Sequence, residues 1–242
     1  MRLGKRRKPG QILFITGTDT GVGKTLLASL LLDHLRQNGV EAVALKLFCT
    51  GGRSDVRRLQ GRQRGVLSDD EVNPYYFAAP IAPLVAARRE GRRVTLKQVL
   101  RHLARIRVRA EVLLVEGAGG LLTPLGEGFS LQDLAASTSG ARVVVVARNR
   151  LGTINHTLLT VERLGHAGIH AVEVVLMDEE TRDASASTNQ KTIREIIEPK
   201  EVRAIPFLCR NTLGTKALQT KCKNIVKTLA RLADFAMNGT RS

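Results

Sequence analysis

The sequence predicts an α/β fold with a doubly wound, mostly parallel sheet that carries helices on both faces. Short apolar runs alternate with helical patterns, and a glycine-containing turn joins the first run to the first helical pattern. The apolar residues are almost all aliphatic: 43% of the 242 residues are hydrophobic, but there are only six Phe, two Tyr and no Trp. Such a composition is typical of Val/Ile/Leu-rich parallel strands.

The predicted elements follow one another as strand and helix. Apolar runs with the length of buried strands lie at residues 11–16, 41–48, 111–115, 142–147, 170–177 and, more weakly, 202–206. Helical patterns lie at residues 24–37, 95–107, 131–137, 154–165 and 188–197, and a terminal amphipathic helix is predicted at 214–236. This alternation builds right-handed βαβ units, in which ligands bind beyond the carboxyl ends of the strands.

Residues 17–25 form a phosphate-binding pattern. The turn Gly17-Thr18-Asp19-Thr20-Gly21-Val22-Gly23-Lys24-Thr25 follows a predicted strand and opens a predicted helix. Backbone N–H groups of such a P-loop hold phosphates, the Lys24 ammonium neutralises them, and the Thr25 hydroxyl can bind Mg2+. The spacing between Gly17 and Gly23 is one residue longer than usual. Asp19 stands where partition and division ATPases carry a signature lysine, which argues against an ATPase of that class.

Three further residues are candidates for the same site. Glu116 ends the run 111–115, Asp55 follows Gly51-Gly52-Arg53-Ser54, and Lys46 ends the second predicted strand. Carboxylates bind Mg2+ directly or through water, and a lysine at the carboxyl edge of the sheet can reach the phosphate site. In isolation, Asp55 is typical of a surface turn and Lys46 of a solvated side chain; their position favours a functional role.

Charge and cysteine content limit the function classes. The formal net charge is +16, spread over residues 2–8, 53–64 and 88–109 without interleaved aromatics or a zinc pattern. We interpret this as a solvated basic surface and do not expect nucleic acid as a partner. The three cysteines are an odd number without metal-ligand spacing, and no apolar run approaches the roughly 20 residues of a membrane span. We therefore expect a cytoplasmic protein without a membrane partner.

The length of the chain suits one hydrophobic core. We expect residues 1–10 to form a basic flexible tail and residues 11–242 a single P-loop α/β domain. Residues 50–93 are rich in Gly, Pro and Arg, and we interpret them as a long excursion that forms a wall of the active site.

Six motifs, taken in order, resemble those of the dethiobiotin synthetase family of the P-loop superfamily. They are residues 16–25, Lys46-Leu47-Phe48-Cys49-Thr50-Gly51, Ser54-Asp55, Asn73-Pro74-Tyr75, residues 115–120 with Thr123-Pro124, and Leu151-Gly152-Thr153-Ile154-Asn155-His156. The resemblance implies ATP-dependent closure of a ureido ring. Diaminopelargonate takes up CO2 as a carbamate, ATP phosphorylates the carbamate, and the second amine displaces phosphate.

The resemblance also implies roles for individual residues. Lys24 and Lys46 would be the catalytic cations, and Thr25, Asp55 and Glu116 the ligands of Mg2+. Nucleotide contacts are implied for Gly21, Val22, Gly23, Lys24, Thr25, Leu26, Asp55, Glu116, Gly117, Ala118, Gly119, Asp178, Pro206 and Leu208. Substrate contacts are implied for Thr50, Gly152, Thr153 and Asn155. The family is dimeric, so a homodimer is implied, with the substrate tail contacting the partner subunit near residues 152–155.

The sequence departs from the family pattern at two positions. Leu47 replaces the proline that follows the catalytic lysine, and Met177 replaces the asparagine that reads adenine. A thioether cannot form the paired contacts of an amide, so we expect a weaker preference for ATP over other nucleotides.

Two alternatives to this function were considered. A regulatory or nucleic-acid-associated P-loop ATPase would explain the charge, but the missing signature lysine argues against it. A cobyrinate-type amide ligase normally brings a glutamine-amidotransferase domain, for which the chain has no room.

Overall fold

The computed structural model describes residues 9–63, 65–198, 200–208 and 223–238. Its strands are β1 (Gln11–Gly17), β2 (Ala42–Leu45), β3 (Phe48–Thr50), β4 (Tyr75–Phe77), β5 (Val112–Glu116), β6 (Ala141–Arg148), β7 (Val172–Met177) and β8 (Val202–Ile205). Its helices are α1 (Lys24–Gln37), α2 (Ser54–Gln63), α3 (Asp69–Val72), α4 (Pro83–Arg89), α5 (Leu96–Arg107), α6 (Leu131–Ala136), α7 (Thr153–His166), α8 (Asn189–Ile197) and α9 (Lys223–Met237). None of these described helices is long and apolar enough to cross a membrane.

Six strands form the central sheet, in the order β2-β5-β1-β6-β7-β8, and all of its pairings are parallel. The chain first runs outward from β1 to β2, returns through β5, and then crosses β1 to build the other half from β6 to β8. The direction of winding therefore changes at β1. In open α/β sheets, ligands bind at this switch point, beyond the carboxyl ends of the strands.

Separate sets of helices cover the two faces of the sheet. In β1, the side chains of Leu13 and Ile15 share one core with residues of α1 and α9, whereas Ile12 and Phe14 share the other core with residues of α5, α6, α7 and α8. Successive side chains of a strand point to opposite faces, so an almost continuous apolar strand is needed to serve both cores. The predicted doubly wound fold class is confirmed.

The second predicted strand is wrong in one respect. The run 41–48 is not a single strand, because β2 ends at Leu45 and the chain leaves the sheet at Lys46 and Leu47. Phe48 then opens β3, which pairs with β4 in a separate two-stranded parallel sheet. Leu47 and Phe48 are both buried, and hydropathy alone does not indicate which sheet buries them.

Residues 50–93 contain α2, α3, β4 and α4, none of which was predicted. Their buried faces are small: Val56, Leu59 and Gln63 in α2, and Val72 alone in α3. So few apolar positions give no clear periodicity. The tail at residues 1–8, the first part of the predicted helix 214–236, and two cysteines, Cys209 and Cys222, lie outside the described residues.

Strand β2 lies at one edge of the central sheet, and side chains bind its outward-facing backbone. The Ala44 N–H donates to Gln63 Oε1 at 2.7 Å, and Gln63 Nε2 donates to the Ala44 carbonyl at 3.0 Å. Two residues earlier in β2, the Ala42 N–H donates to the Val40 carbonyl at 2.8 Å, and Arg36 Nη1 donates to the Ala42 carbonyl at 3.0 Å. The fully buried amide of Gln63 thus takes the place of a neighbouring strand at this position.

Candidate active site

The P-loop lies at the carboxyl end of β1, at the switch point of the sheet. Gly21 and Gly23 have φ angles of 72° and 104°, in the left-handed region that favours glycine. A Cβ atom on Gly23 would also lie 3.0 Å from the Met177 side chain. The Lys24 ammonium, on the first residue of α1, donates to the loop's own Asp19 carbonyl at 2.8 Å. The loop therefore provides a cation at the place where the sequence predicts phosphates.

The carboxylate of Glu116 connects the P-loop to the neighbouring strands. Glu116 ends β5, which pairs with both β1 and β2, so its side chain reaches both neighbours. Its Oε1 atom accepts hydrogen bonds from the Thr25 hydroxyl at 2.6 Å and from Lys46 Nζ at 2.5 Å. Its Oε2 atom is buried and has no hydrogen-bond partner among the described residues.

The Lys46 ammonium lies between two carboxylates. Its Nζ atom is 3.2 Å from an Asp55 carboxylate oxygen, in addition to the contact with Glu116, and it also donates to the Gly117 carbonyl at 3.1 Å. Asp55 comes from the first turn of α2 and remains partly exposed. The structure thus brings Thr25, Lys46, Asp55 and Glu116 together from four separate segments, and Lys24 lies beside them.

Burial and charge shift the pKa values of the site. Burial, with the nearby Lys46 ammonium, lowers the pKa of Lys24 to about 8. Burial also acts to lower the pKa of Lys46, but the carboxylates of Glu116 and Asp55 outweigh it and raise that pKa above its ordinary value. Burial raises the pKa of the Cys49 thiol to about 11, so this thiol is a poor nucleophile at neutral pH.

A cavity of about 670 Å³ opens beside Lys46. The P-loop contributes Thr20 to its lining, and the loop after β5 contributes Ala118 and Gly119. The rest of the lining comes largely from residues 48–55 and 80–83. The predicted wall formed by the 50–93 segment is therefore present, and the predicted substrate residue Thr50 lies in it.

A second cavity, of about 310 Å³, lies on the other side of the P-loop. Thr153, the first residue of α7, lines it together with Asp19 and the basic residues Arg148 and Arg150. Gly152 precedes this helix with a φ of 90°, and Asn155 is exposed. The predicted substrate residues therefore fall into two groups within one chain, with Thr50 in the larger cavity and Thr153 in the smaller one.

The predicted base-binding residues lie at the carboxyl ends of β7 and β8, the last two strands at one edge of the sheet. Met177 ends β7 and is 7% exposed, whereas Pro206 and Leu208 come just after β8. The Asp178 carboxylate already has protein partners: it accepts from Asn149 Nδ2 at 2.7 Å and forms an ion pair with Arg182 at 2.8 Å. A base contact by Asp178 stays a prediction.

Two residues near the site were assigned no role by the sequence. Arg148 ends β6, donates from Nη2 to the Gly21 carbonyl at 3.0 Å, and pairs with Glu179 at 2.9 Å. An arginine at the end of a strand is usually solvated, and only the place of β6 next to β1 puts it against the P-loop. Asn73 was noted as part of a motif, but its contact with the backbone of Lys46 needs the fold to be known.

Known proteins resemble this chain in sequence and in fold. A family model described as an AAA domain matches residues 11–210. The ATP-dependent dethiobiotin synthetase of Anaeromyxobacter sp. (strain Fw109-5) is 44% identical over 189 residues, which cover 76% of this chain and 84% of that protein. The ATP-dependent dethiobiotin synthetase of Bacillus subtilis (strain 168) is 37% identical over 208 residues, which cover 84% of this chain and 90% of that protein.

Solved structures share the fold at much lower identity. A chain of the MinC:MinD cell division protein complex of Aquifex aeolicus has a TM-score of 0.57 at 14% identity, over 92% of this chain and 96% of that chain. A ParA family ATPase from Chlorobium tepidum TLS has a TM-score of 0.58 at 13% identity, over 93% and 99%. These two likenesses show the P-loop fold alone. The identity to the curated relatives shows the family: the chain belongs to the ATP-dependent dethiobiotin synthetases.

Proposed function

We propose that this protein is an ATP-dependent dethiobiotin synthetase, a ligase that closes a ureido ring from diaminopelargonate and CO2. One observation carries the proposal. In a chain of this family, the Lys46 ammonium lies against Glu116, whose carboxylate also binds the Thr25 hydroxyl of the P-loop. A cation is thereby fixed between the phosphate loop and the large cavity, where a substrate anion and the γ-phosphate would have to meet.

The P-loop would bind the triphosphate of ATP. Backbone N–H groups at the start of α1 attract anions, and among the described residues the hydrogen-bond acceptor of the Lys24 ammonium is an uncharged carbonyl, that of Asp19. Exchange of this carbonyl for phosphate oxygens gains a charge-assisted hydrogen bond. The bound phosphate would also raise the pKa of Lys24, which burial lowers to about 8 in the empty site.

The oxygen atoms beside Lys24 fit Mg2+. The described residues contain no group of three His, Cys, Asp or Glu side chains arranged for a metal ion, but Mg2+ on a nucleotide typically uses one or two carboxylates together with phosphates. Thr25, Asp55 and Glu116 would hold it, and the unpartnered Glu116 Oε2 is a free acceptor for an ion or its water. When bound, Mg2+ neutralises charge on the transferring phosphoryl group.

Lys46 would stabilise the anion of the substrate. One amine of the diamine adds to CO2 and loses a proton to give a carbamate. A carbamate oxygen attacks the γ-phosphorus with ADP as leaving group, and the second amine then attacks the carbonyl carbon and expels phosphate. Both phosphorylation and ring closure place negative charge near the Lys46 ammonium, which two carboxylates keep protonated. Alignment and charge neutralisation supply the catalysis, without a covalent protein intermediate.

We propose a homodimer as the working form. Two large apolar side chains are exposed along α7 and its preceding turn: Leu151 is 82% exposed and Leu159 is 57% exposed. Exposed apolar patches commonly mark protein contacts. The family resemblance implies that the substrate tail contacts the partner subunit at the start of the same helix, near Gly152, Thr153 and Asn155. Sedimentation of the protein should give a dimer, and the double variant L151E/L159E should sediment as a monomer.

We further propose that residues 11–242 act as one domain in the cytoplasm, where a reducing environment suits the free, buried thiol of Cys49.

The function is tested by measuring the ratio of ADP, phosphate and dethiobiotin that the protein forms. With diaminopelargonate, bicarbonate, ATP and Mg2+, we expect one ADP and one phosphate for each dethiobiotin, identified by mass spectrometry. Omission of either the diamine or bicarbonate should stop phosphate release. Phosphate release that ignores the diamine but rises with a polyanion would contradict the proposal and indicate a regulatory ATPase.

A further inference from the structure

The motif Asn73-Pro74-Tyr75 has no role in the proposed chemistry, yet its asparagine lies against the backbone of Lys46. The Asn73 side chain is 1% exposed, and its Nδ2 atom donates to the Lys46 carbonyl at 2.8 Å and to the Leu47 carbonyl at 3.3 Å. The Lys46 N–H in turn donates to the Val72 carbonyl at 3.0 Å. Residues 72 and 73 therefore bind both the N–H group and the carbonyl group of Lys46.

In the side-chain amide of Asn73, only the nitrogen forms hydrogen bonds with described residues. Its Oδ1 atom is buried and has no hydrogen-bond partner in the part of the chain that the structure describes. An unsatisfied buried acceptor costs about 1–3 kcal/mol, and an apolar side chain of the same size would avoid that cost. What only the amide supplies is a pair of N–H donors for two successive carbonyls.

Those carbonyls belong to the segment where the chain leaves the sheet. After β2 ends at Leu45, Lys46 and Leu47 have no strand pairing until Phe48 begins β3. A proline after the lysine would fix φ through its ring, but here that position is Leu47, which has no such constraint. The orientation of the Lys46 backbone, and hence the origin of its side chain, then depends on the hydrogen bonds from residues 72–75, including the Tyr75 N–H to the Leu47 carbonyl at 3.1 Å.

We propose that Asn73 is a positioning residue for Lys46: by holding the carbonyls of Lys46 and Leu47, its amide directs the Lys46 ammonium between Glu116 and Asp55. The inference rests on the proposed function of Lys46. A displacement of about 1 Å at a reacting group can cost on the order of 100-fold in rate. We expect Asn73→Leu to lower kcat for ring closure about 10-fold to 100-fold, with the affinity for a nonhydrolysable ATP analogue changed less than about twofold.

Gln63 offers a matched control. Its buried amide also binds the backbone of β2, at Ala44, two residues before Lys46, and in the described part of the chain it forms no hydrogen bond with Lys46, Asp55 or Glu116. Gln63→Leu should destabilise the fold to a similar degree as Asn73→Leu, measured by urea unfolding, and leave kcat within about threefold. If Asn73→Leu does not fold, Asn73→Ser, which keeps a single short donor, replaces it and should give an intermediate loss of kcat.

A double-mutant cycle with Lys46→Gln tests whether Asn73 acts through Lys46. The rate of dethiobiotin formation is measured by mass spectrometry. If Asn73 acts through Lys46, Asn73→Leu should lower the residual rate of Lys46→Gln less than about twofold. A tenfold further loss in that background, or an equal loss of kcat for Asn73→Leu and Gln63→Leu, would overturn the proposal. Failure of the proposed function looks different, because the unmodified protein would then form no dethiobiotin, whereas a near-normal rate for Lys46→Gln would contradict only the role of Lys46.

Discussion

Lys24 and Lys46 are buried almost equally, with 6% and 5% of their surface exposed, but their pKa values move in opposite directions. The Lys24 ammonium donates to a neutral carbonyl, and its pKa is lowered by burial and by the neighbouring Lys46. The Lys46 ammonium has two carboxylates as partners, and its pKa is raised despite burial. Burial alone therefore does not determine the direction in which the pKa of a lysine shifts, because an anion next to it can reverse that shift.

The difference indicates separate tasks for the two lysines. Lys46 has its counter-ions in the protein itself and is charged before any ligand arrives. Lys24 has no carboxylate at ion-pair distance among the described residues, and in the proposed function it gains an anionic partner when phosphate binds. Phosphoryl transfer uses both properties, since one cation must bind the nucleotide while the other stabilises charge on the acceptor.

The sharpest test of this comparison is the substitution Lys46→Gln. We expect it to lower the rate of ring closure by a factor on the order of 10²–10³, because stabilisation of charge in the transition state is lost, and to weaken ATP binding little. Lys46→Arg should restore activity only in part, since a planar guanidinium does not replace a compact ammonium. A coupled phosphate-release assay and calorimetry measure the two effects; a near-normal rate for Lys46→Gln would remove the assigned role.

Lys24→Ala should give the converse result. Loss of a charge-assisted hydrogen bond to phosphate costs about 1.5–3 kcal/mol, so ATP affinity should fall roughly 10-fold to 150-fold. The fold should remain, because the Lys24 side chain donates to the Asp19 carbonyl and makes no ion pair with any residue that the structure describes. Circular dichroism checks the fold. Unchanged ATP affinity in calorimetry would contradict the proposed role of Lys24 in binding the nucleotide.

Met177 extends the comparison to the base end of the site, because its side chain lies against Gly23, next to Lys24. Met177→Asn supplies the amide that the family resemblance implies for adenine contact, and we expect the preference for ATP over GTP and CTP to rise about fivefold, the lower end of what one hydrogen bond contributes. Turnover with the three nucleotides gives the ratio. If the unmodified protein already prefers ATP more than a hundredfold, Met177 does not weaken base selection.

The smallest effect should appear in the pH dependence of ATP binding. Above the Lys24 pKa of about 8, the empty site loses the proton that the phosphate-bound site keeps, so affinity should fall about fourfold between pH 7 and pH 8.5. Proton uptake on binding should rise from about 0.2 at pH 7.5 to about 0.8 at pH 8.5. Calorimetry in buffers of different ionisation enthalpy measures it, with Lys24→Ala as the control that should show no rise. Equal uptake at both pH values would contradict the shifted pKa.

The sequence predicted the parts of the site that are continuous in the chain. Residues 17–25 combine strand, turn and helix signals in one stretch, so the P-loop and its Lys24 could be assigned before the fold was known. The pairing of Lys46 with Glu116 needs β2 and β5 to be neighbours, 70 residues apart in the chain. The family resemblance grouped these residues, but it gave neither the geometry nor the opposite pKa shifts.

Other features left no local signal. In the run 41–48, the apolar residues Leu47 and Phe48 follow the single charged residue Lys46, so the stretch resembles one strand and the exit from the sheet was missed. The contact of Arg148 with Gly21 requires β6 to pair with β1, and the sequence alone does not give this pairing.

The covered edge of β2 has a consequence for the protein in concentrated solution. The outward-facing N–H and carbonyl groups of Ala42, Ala44 and Lys46 all have intramolecular partners, supplied by Val40, Arg36, Gln63, Val72 and Asn73. An edge strand with free backbone groups is a template on which strands of other molecules add, leading to aggregation. Here no vacant position remains along those three residues, so the segment that carries Lys46 is also protected from strand addition by a second molecule.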